Sequence, residues 1–169
     1  MEIIVNIHKK EKGFTIIEVV LVLAIAGLIF LMVFIALPAL QRSQRDAQRK
    51  NDLSRAQTAV TSYTSNNRGA LPTLNAAFIS QYLTPTASDS FIDPLGANSG
   101  TPAATTYTFT AVAANGTLVA GFNTASTQNV IYYATGRTCN TGGTFTLAGT
   151  RKIALAMYLE GGGVACVNN

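Results

Sequence analysis

The chain is poor in charge. Only 12% of its 169 residues are Asp, Glu, Lys or Arg, about half the usual share. It has one histidine, His8, and no cluster of His, Cys, Asp and Glu at metal-ligand spacing. From Gly69 to Asn169 the acids are Asp89, Asp93 and Glu160, and the bases are Arg137, Arg151 and Lys152. These cancel, so no specific nucleic-acid site is evident. Asp89 and Asp93 sit in a turn-rich stretch, where turn chemistry accounts for them. With Asn98 they make too thin an oxygen set for calcium. The triplet Gly161-Gly162-Gly163 opens no helix pattern and is not a phosphate loop. These absences argue against an enzyme and predict no cofactor and no metal. The length suits one compact domain plus one long accessory element.

Between Val19 and Leu40 charge is missing altogether. As a helix this run is about 33 Å long, enough to cross a hydrocarbon core of about 30 Å. The apolar core of an ordinary signal peptide has about 7–15 residues. This run is longer, and Ala36-Leu37-Pro38-Ala39 is a weak signal-peptidase site, so the segment is expected to stay in the mature protein. Lys9, Lys10 and Lys12 precede it. Arg42, Arg45, Arg49, Lys50 and Arg55 follow it. Taken alone, the positive-inside rule puts the C-terminal part in the cytoplasm. That supports one alternative, an unrelated single-pass membrane protein.

Glu18 stands at the head of the apolar run. A carboxylate in a membrane segment costs about 2.5–3.5 kcal/mol on insertion scales, so it calls for a partner, unless it lies at headgroup level. Lys12-Gly13-Phe14-Thr15-Ile16-Ile17-Glu18-Val19, with the basic leader before it and the apolar span after it, resembles the class III signal of type IV prepilins and type II secretion pseudopilins. The resemblance covers about Lys9 to Leu40 closely and the rest in outline. It implies cleavage between Gly13 and Phe14 by a prepilin peptidase and N-methylation of Phe14. It also implies pairing of Glu18 with the N-terminal amine of a neighbouring subunit, which would set register. Gly27 and Pro38 match the glycine and proline that loosen this helix in the family, Pro38 about one turn late. The implied partners are copies of the chain in a helical homopolymer, the peptidase, the inner-membrane assembly platform, and membrane lipid before assembly. The implied location is the cytoplasmic membrane and then an extracellular filament serving adhesion, motility or DNA uptake. A type II secretion pseudopilin is the nearer alternative.

The expected fold is α+β: a long N-terminal helix packed on a C-terminal antiparallel sheet. Residues 1–13 read as leader, 14–40 as membrane and filament-core helix, and 41–68 as its amphipathic second half. Residues 69–102 read as a connecting region and 103–169 as the sheet head. Leu53, Ala56, Val60 and Tyr63 fall on one helix face that should pack on the sheet. Asp46 and Lys50 are placed for an i,i+4 pair, and the arginines read most simply as a solvated face. Asn66-Asn67-Arg68-Gly69 ends the helix, and Leu71-Pro72 keeps it from resuming. Phe78 to Leu83 reads as one helical turn, and Asp93-Pro94-Leu95-Gly96 as a turn. Strands are expected at Thr106 to Val112, Leu118 to Phe122, Asn129 to Ala134, Thr144 to Ala148 and Ile153 to Leu159. Asn115-Gly116 is a hairpin turn between the first two.

The two cysteines, Cys139 and Cys166, suit a disulfide in an oxidising compartment; two reduced thiols are the other reading. A C-terminal disulfide loop resembles type IV pilins more than major pseudopilins.

Overall fold

A computed structural model describes residues 13–84, 91–94, 106–112, 129–140 and 143–169. It divides into two compact units, Met1–Ala39 and Leu40–Asn169. The division falls within helix α1 (Ile16–Asn66), just beyond Pro38.

In the first unit α1 carries an almost pure apolar surface. Ile, Val and Phe are mediocre helix formers in water. In lipid the helix is enforced, because backbone N–H and C=O groups must pair within the segment. None of the described residues up to Ala39 is buried, and Leu28, Phe30, Met32 and Phe34 are 65–72% exposed. The mean hydropathy over an 18-residue window is 3.2. By length and composition this helix can cross a membrane.

The second unit is a head built on the rest of α1. Leu53, Ala56, Ala59 and Val60 are buried on one face. They share a core with Ile131 of β2 (Val130–Thr135) and with Ile153, Leu155 and Met157 of β5 (Ile153–Tyr158). Tyr63 is half-buried and packs edge-on against Phe78 and Tyr82. These two rings belong to a short helix α2 (Ala76–Phe78) and the π-helical turn that continues it, Ile79–Leu83. The side chain of Asn75 caps α2 by accepting from the Phe78 N–H at 3.0 Å. At the end of α1, Arg68 (φ 55°) and Gly69 (φ 85°) adopt left-handed conformations, and the Gly69 N–H closes on the Thr64 carbonyl at 2.7 Å.

The main sheet has the order β1-β2-β5-β6, with β1 at Thr108–Ala111 and β6 at Val164–Asn168. β2–β5 and β5–β6 are antiparallel, but β1 runs parallel to β2. The sheet is therefore mixed and antiparallel-rich, not purely antiparallel. The expected Asn115-Gly116 turn and the strand at Leu118 to Phe122 lie outside the described residues. A second, two-stranded ribbon joins β3 (Arg137–Cys139) to β4 (Phe145–Leu147).

All six residues of β5 are buried, because both faces of the strand are covered. With period-two alternation, Ile153, Leu155 and Met157 face α1, while Ala154 and Ala156 pack with Ala134 and with Phe145 of the ribbon. The small alanines leave room for that ring. Gly143 shows how close the ribbon lies: a Cβ there would sit 2.5 Å from the Cβ of Val164.

A Cys139–Cys166 disulfide ties the ribbon to β6, with Cα atoms 5.8 Å apart. Its sequence separation is 27, and on the chain-entropy model closing such a loop stabilises by about 3–4 kcal/mol. Replacing both cysteines with serine is expected to remove that amount, read as a shift in the urea midpoint. A midpoint unchanged from that of the oxidised parent would contradict it.

Candidate functional site at the start of the helix

The helix begins with a reciprocal cap. Thr15 is the residue before the first helical turn, and Glu18 is the third within it. The Glu18 carboxylate accepts from the Thr15 backbone N–H at 2.9 Å and from its hydroxyl at 2.7 Å. The Glu18 N–H donates to the Thr15 hydroxyl oxygen at 3.4 Å. Helical side chains tilt toward the N-terminus, so this carboxylate reaches back toward Phe14. The helix dipole favours a negative group there. Thr-x-x-Glu is legible in the sequence as a capping box, but the sequence reading used Glu18 alone and missed Thr15.

Gly13 and Phe14 precede the helix and are exposed, Phe14 at 89%. Nothing lies within 4 Å of where a Cβ on Gly13 would be. The bond between them is thus open to another protein. Phe14, Glu18, Val19, Val22 and Leu23 line a shallow groove along one side of the helix. Gly27 and Pro38 both lie within α1, and a Cβ at Gly27 would also meet nothing within 4 Å. Among the described residues no packing demands that glycine. His8 and the lysines of the leader lie outside the described residues.

The head holds a second cluster that the sequence reading did not foresee. Arg49 is fully buried. Its guanidinium forks onto Asp93 at 2.7 and 2.9 Å and also donates to Asp46 at 3.2 Å. Asp46 in turn accepts the backbone N–H groups of Glu160 and Gly161, both at 2.7 Å. Arg45 makes a two-point pair with Glu160. Further along α1, Asp52 accepts from the Tyr107 hydroxyl at 3.1 Å and from Arg55 at 3.2 Å. This overturns the solvated face for Arg45 and Arg49, and the Asp46–Lys50 pairing. Asp46 is turned instead toward the loop after β5. A helical period holds the clue, since Arg49, Leu53, Ala56 and Val60 lie at i, i+4, i+7 and i+11 on the buried stripe.

The electrostatics follow from this packing. Hydrogen bonding to Arg45 holds the Glu160 carboxyl below its usual range. Burial pushes the Asp52 carboxyl up, against the pull of the Tyr107 hydroxyl and Arg55. Burial, with Asp52 and Asp93 nearby, pushes the Tyr107 phenol up. For Arg49 burial works against the charge, but Asp93, together with Tyr107 and Asp46, raises the guanidinium on balance.

The cluster fastens α1 to the segments that carry Asp93, Tyr107 and Glu160. Among the described residues no three His, Cys, Asp or Glu side chains converge on a metal-sized site. Asp93 gives its carboxylate to Arg49; Asp89 and Asn98 lie outside the described residues.

Residues 8–34 match the family model described as the Prokaryotic N-terminal methylation motif. The matched stretch contains Gly13, Phe14, Glu18 and Gly27. No curated protein and no solved structure matches the chain.

Proposed function

We propose that this chain, which carries the class III signal of type IV pilins and pseudopilins, is the precursor of a type IV pilus-like filament subunit. A prepilin peptidase cuts after Gly13, Phe14 is methylated, and subunits assemble through the N-terminal helix. One observation carries the reading. The methylation motif, residues 8–34, runs into an apolar helix none of whose described residues up to Ala39 is buried. Exposed apolar surface on this scale calls for lipid or other protein, and a filament core of packed helices provides the second after the first.

The cut also creates what Glu18 lacks. A free α-amine has a pKa of about 8 and is mostly cationic at neutral pH. It appears at Phe14, the residue toward which the Glu18 carboxylate reaches. In the precursor Thr15 satisfies that carboxylate. In a bundle of apolar helices it is the incoming amine of a neighbour that needs it, since an unpaired buried charge is strongly unfavourable. The implied surface tasks are adhesion, motility or DNA uptake. The disulfide fits an oxidising exterior and supports a pilus subunit over a secretion pseudopilin. The arginines after the span, which by count favour the opposite orientation, have their own use in the head, where Arg45, Arg49 and Arg55 hold acids.

The direct test is the mature N-terminus. The chain is expressed in cells with an active prepilin peptidase, and its N-terminal peptide is read by mass spectrometry. The expected product begins at N-methylated Phe14. A chain still beginning at Met1 beside a peptidase that processes a control substrate would overturn the reading.

A further inference from the structure

The head holds α1 in two different ways. From Leu53 onward the buried residues of the helix are apolar; before Leu53 they are Asp46, Arg49 and Asp52. The first turns of α1 in the head, from Leu40 to Asp52, are therefore buried through charged side chains alone. Three guanidinium groups there face three carboxylates. Arg42, Arg45 and Arg49 all lie within ion-pair distance of Glu160, and Arg49 also meets Asp46 and Asp93. Asp46 accepts from the Glu160 and Gly161 N–H groups. A Cβ on Gly161 would lie 2.9 Å from the Asp46 Oδ2, so a larger residue there would push the carboxylate aside. The turn continues through Gly162 and Gly163, at φ 96° and 87°. One step along the helix, Asp52 faces Arg55 and the Tyr107 hydroxyl. These are the charged and titratable groups around the cluster among the described residues.

We propose that this cluster is an acid-operated clasp: protonation of Asp46, Asp93 and Glu160 releases Asp93 and the turn at residues 160–163 from α1, while the apolar core of the head stays closed. Guanidinium groups keep their charge at any pH the carboxylates titrate in. In acid, three like charges are left at one place and repel. Arg49, fully buried, then lacks a counter-charge and is driven toward water. No buried apolar side chain of α1 holds the parts together at this level. Farther along, Leu53, Ala56 and Val60 pack with Ile131, Leu155 and Met157 and carry no titrating group. The sign follows from Glu160. Arg45 holds its carboxyl below the usual range, so it stabilises the closed clasp above that range, and this is lost as pH falls through it. Asp52 works the other way. Burial raises its carboxyl, so acid removes a penalty there, and the neutral carboxyl still bonds the Tyr107 hydroxyl. Opening thus stops short of Leu53 and is local, not global. The clasp is a property of the head; that it meets the pH of the outside medium rests on the filament reading.

The test uses the full chain, labelled with nitrogen-15, as monomer in neutral detergent with its disulfide intact, so its result is independent of filament assembly. Resonances are followed from about pH 7 down to about pH 3, across the carboxylate range. The Glu160 and Gly161 amides report on Asp46, the Arg49 Nε–H reports on Asp93, and the Ile131 and Leu155 amides report on the core. The first three signals should move together, with a midpoint below the usual carboxylate range, while the core signals keep their positions and their protection from exchange. Fitted as a linkage, the opening should take up about two to three protons. Glu160→Gln removes one titrating group and should lower that number by about one, or leave the turn open already at neutral pH. Lys50→Gln, exposed on α1, should titrate as the parent does. Clasp signals that stay unchanged to the lowest pH overturn the proposal, as does a transition of one proton. A Glu160→Gln variant with the parent's titration also overturns it, and so does loss of the core signals in the same step as the clasp.

Discussion

Glu18→Val is expected to leave cleavage after Gly13 intact and to abolish filament formation. The local loss is small. Removing one side of a cap costs about 1 kcal/mol, and a helix in lipid keeps its backbone hydrogen bonds regardless. The loss between subunits is large. Without Glu18 the cationic amine of each docked Phe14 is buried with no partner, which costs about 3–5 kcal/mol per subunit. That is a factor of about a hundred to several thousand in each addition step. Thr15→Ala separates the two roles, since it breaks the cap but leaves the carboxylate available; it is expected to assemble. Electron microscopy of sheared filaments, with mass spectrometry of the membrane pool, reads both effects. Filaments of normal number from Glu18→Val would refute the role assigned to this residue.

The second large effect lies in the head. Arg49→Met keeps most of the side-chain volume but removes the charge, leaving Asp93 buried at 3% exposure with its two-point partner gone. Breaking a buried pair from one side costs about 3–5 kcal/mol. In a head of this size that lowers the melting temperature by about 10–20 °C. Adding Asp93→Leu should recover much of the loss, because replacing both partners with apolar groups is close to neutral. Asp46 remains held by the Glu160 and Gly161 N–H groups in both variants. Thermal melts followed by circular dichroism test this. An Arg49→Met head melting within a few degrees of the parent would show that the cluster contributes little.

Much of this was legible from residues alone. The charge-free run from Val19 to Leu40 marks the first unit, and the Leu53, Ala56, Val60 and Tyr63 periodicity finds the face that meets the sheet. β2, β4 and β5 fall within a residue or so of their expected places. β3 and β6 were not read. Arg137–Cys139 is too short to show a pattern, and Val164–Asn168 follows a glycine triplet with no clean alternation. The parallel pairing of β1 with β2 depends on a crossover between distant segments, which local turn chemistry does not report. The buried charges were missed for a different reason. Arginines near a membrane span suggest solvent or topology, and only their phase against the apolar stripe shows that one of them faces inward. The cap is legible as Thr15-x-x-Glu18, but an acid at the head of an apolar run signals a partner in another subunit more strongly than a cap within its own helix.

The clasp on Asp46 also has a consequence in time. The Asp46 carboxylate is held by the backbone N–H groups of Glu160 and Gly161, and Gln57 by the carbonyl of Asn168. These contacts join residues 111 to 115 positions apart. Loops this long close late. The helix's second half therefore waits, its core stripe and Arg49 bare, until the last strand has been delivered to the same compartment. The head is thus finished from its far end, and its closing contacts wait on the C-terminal residues.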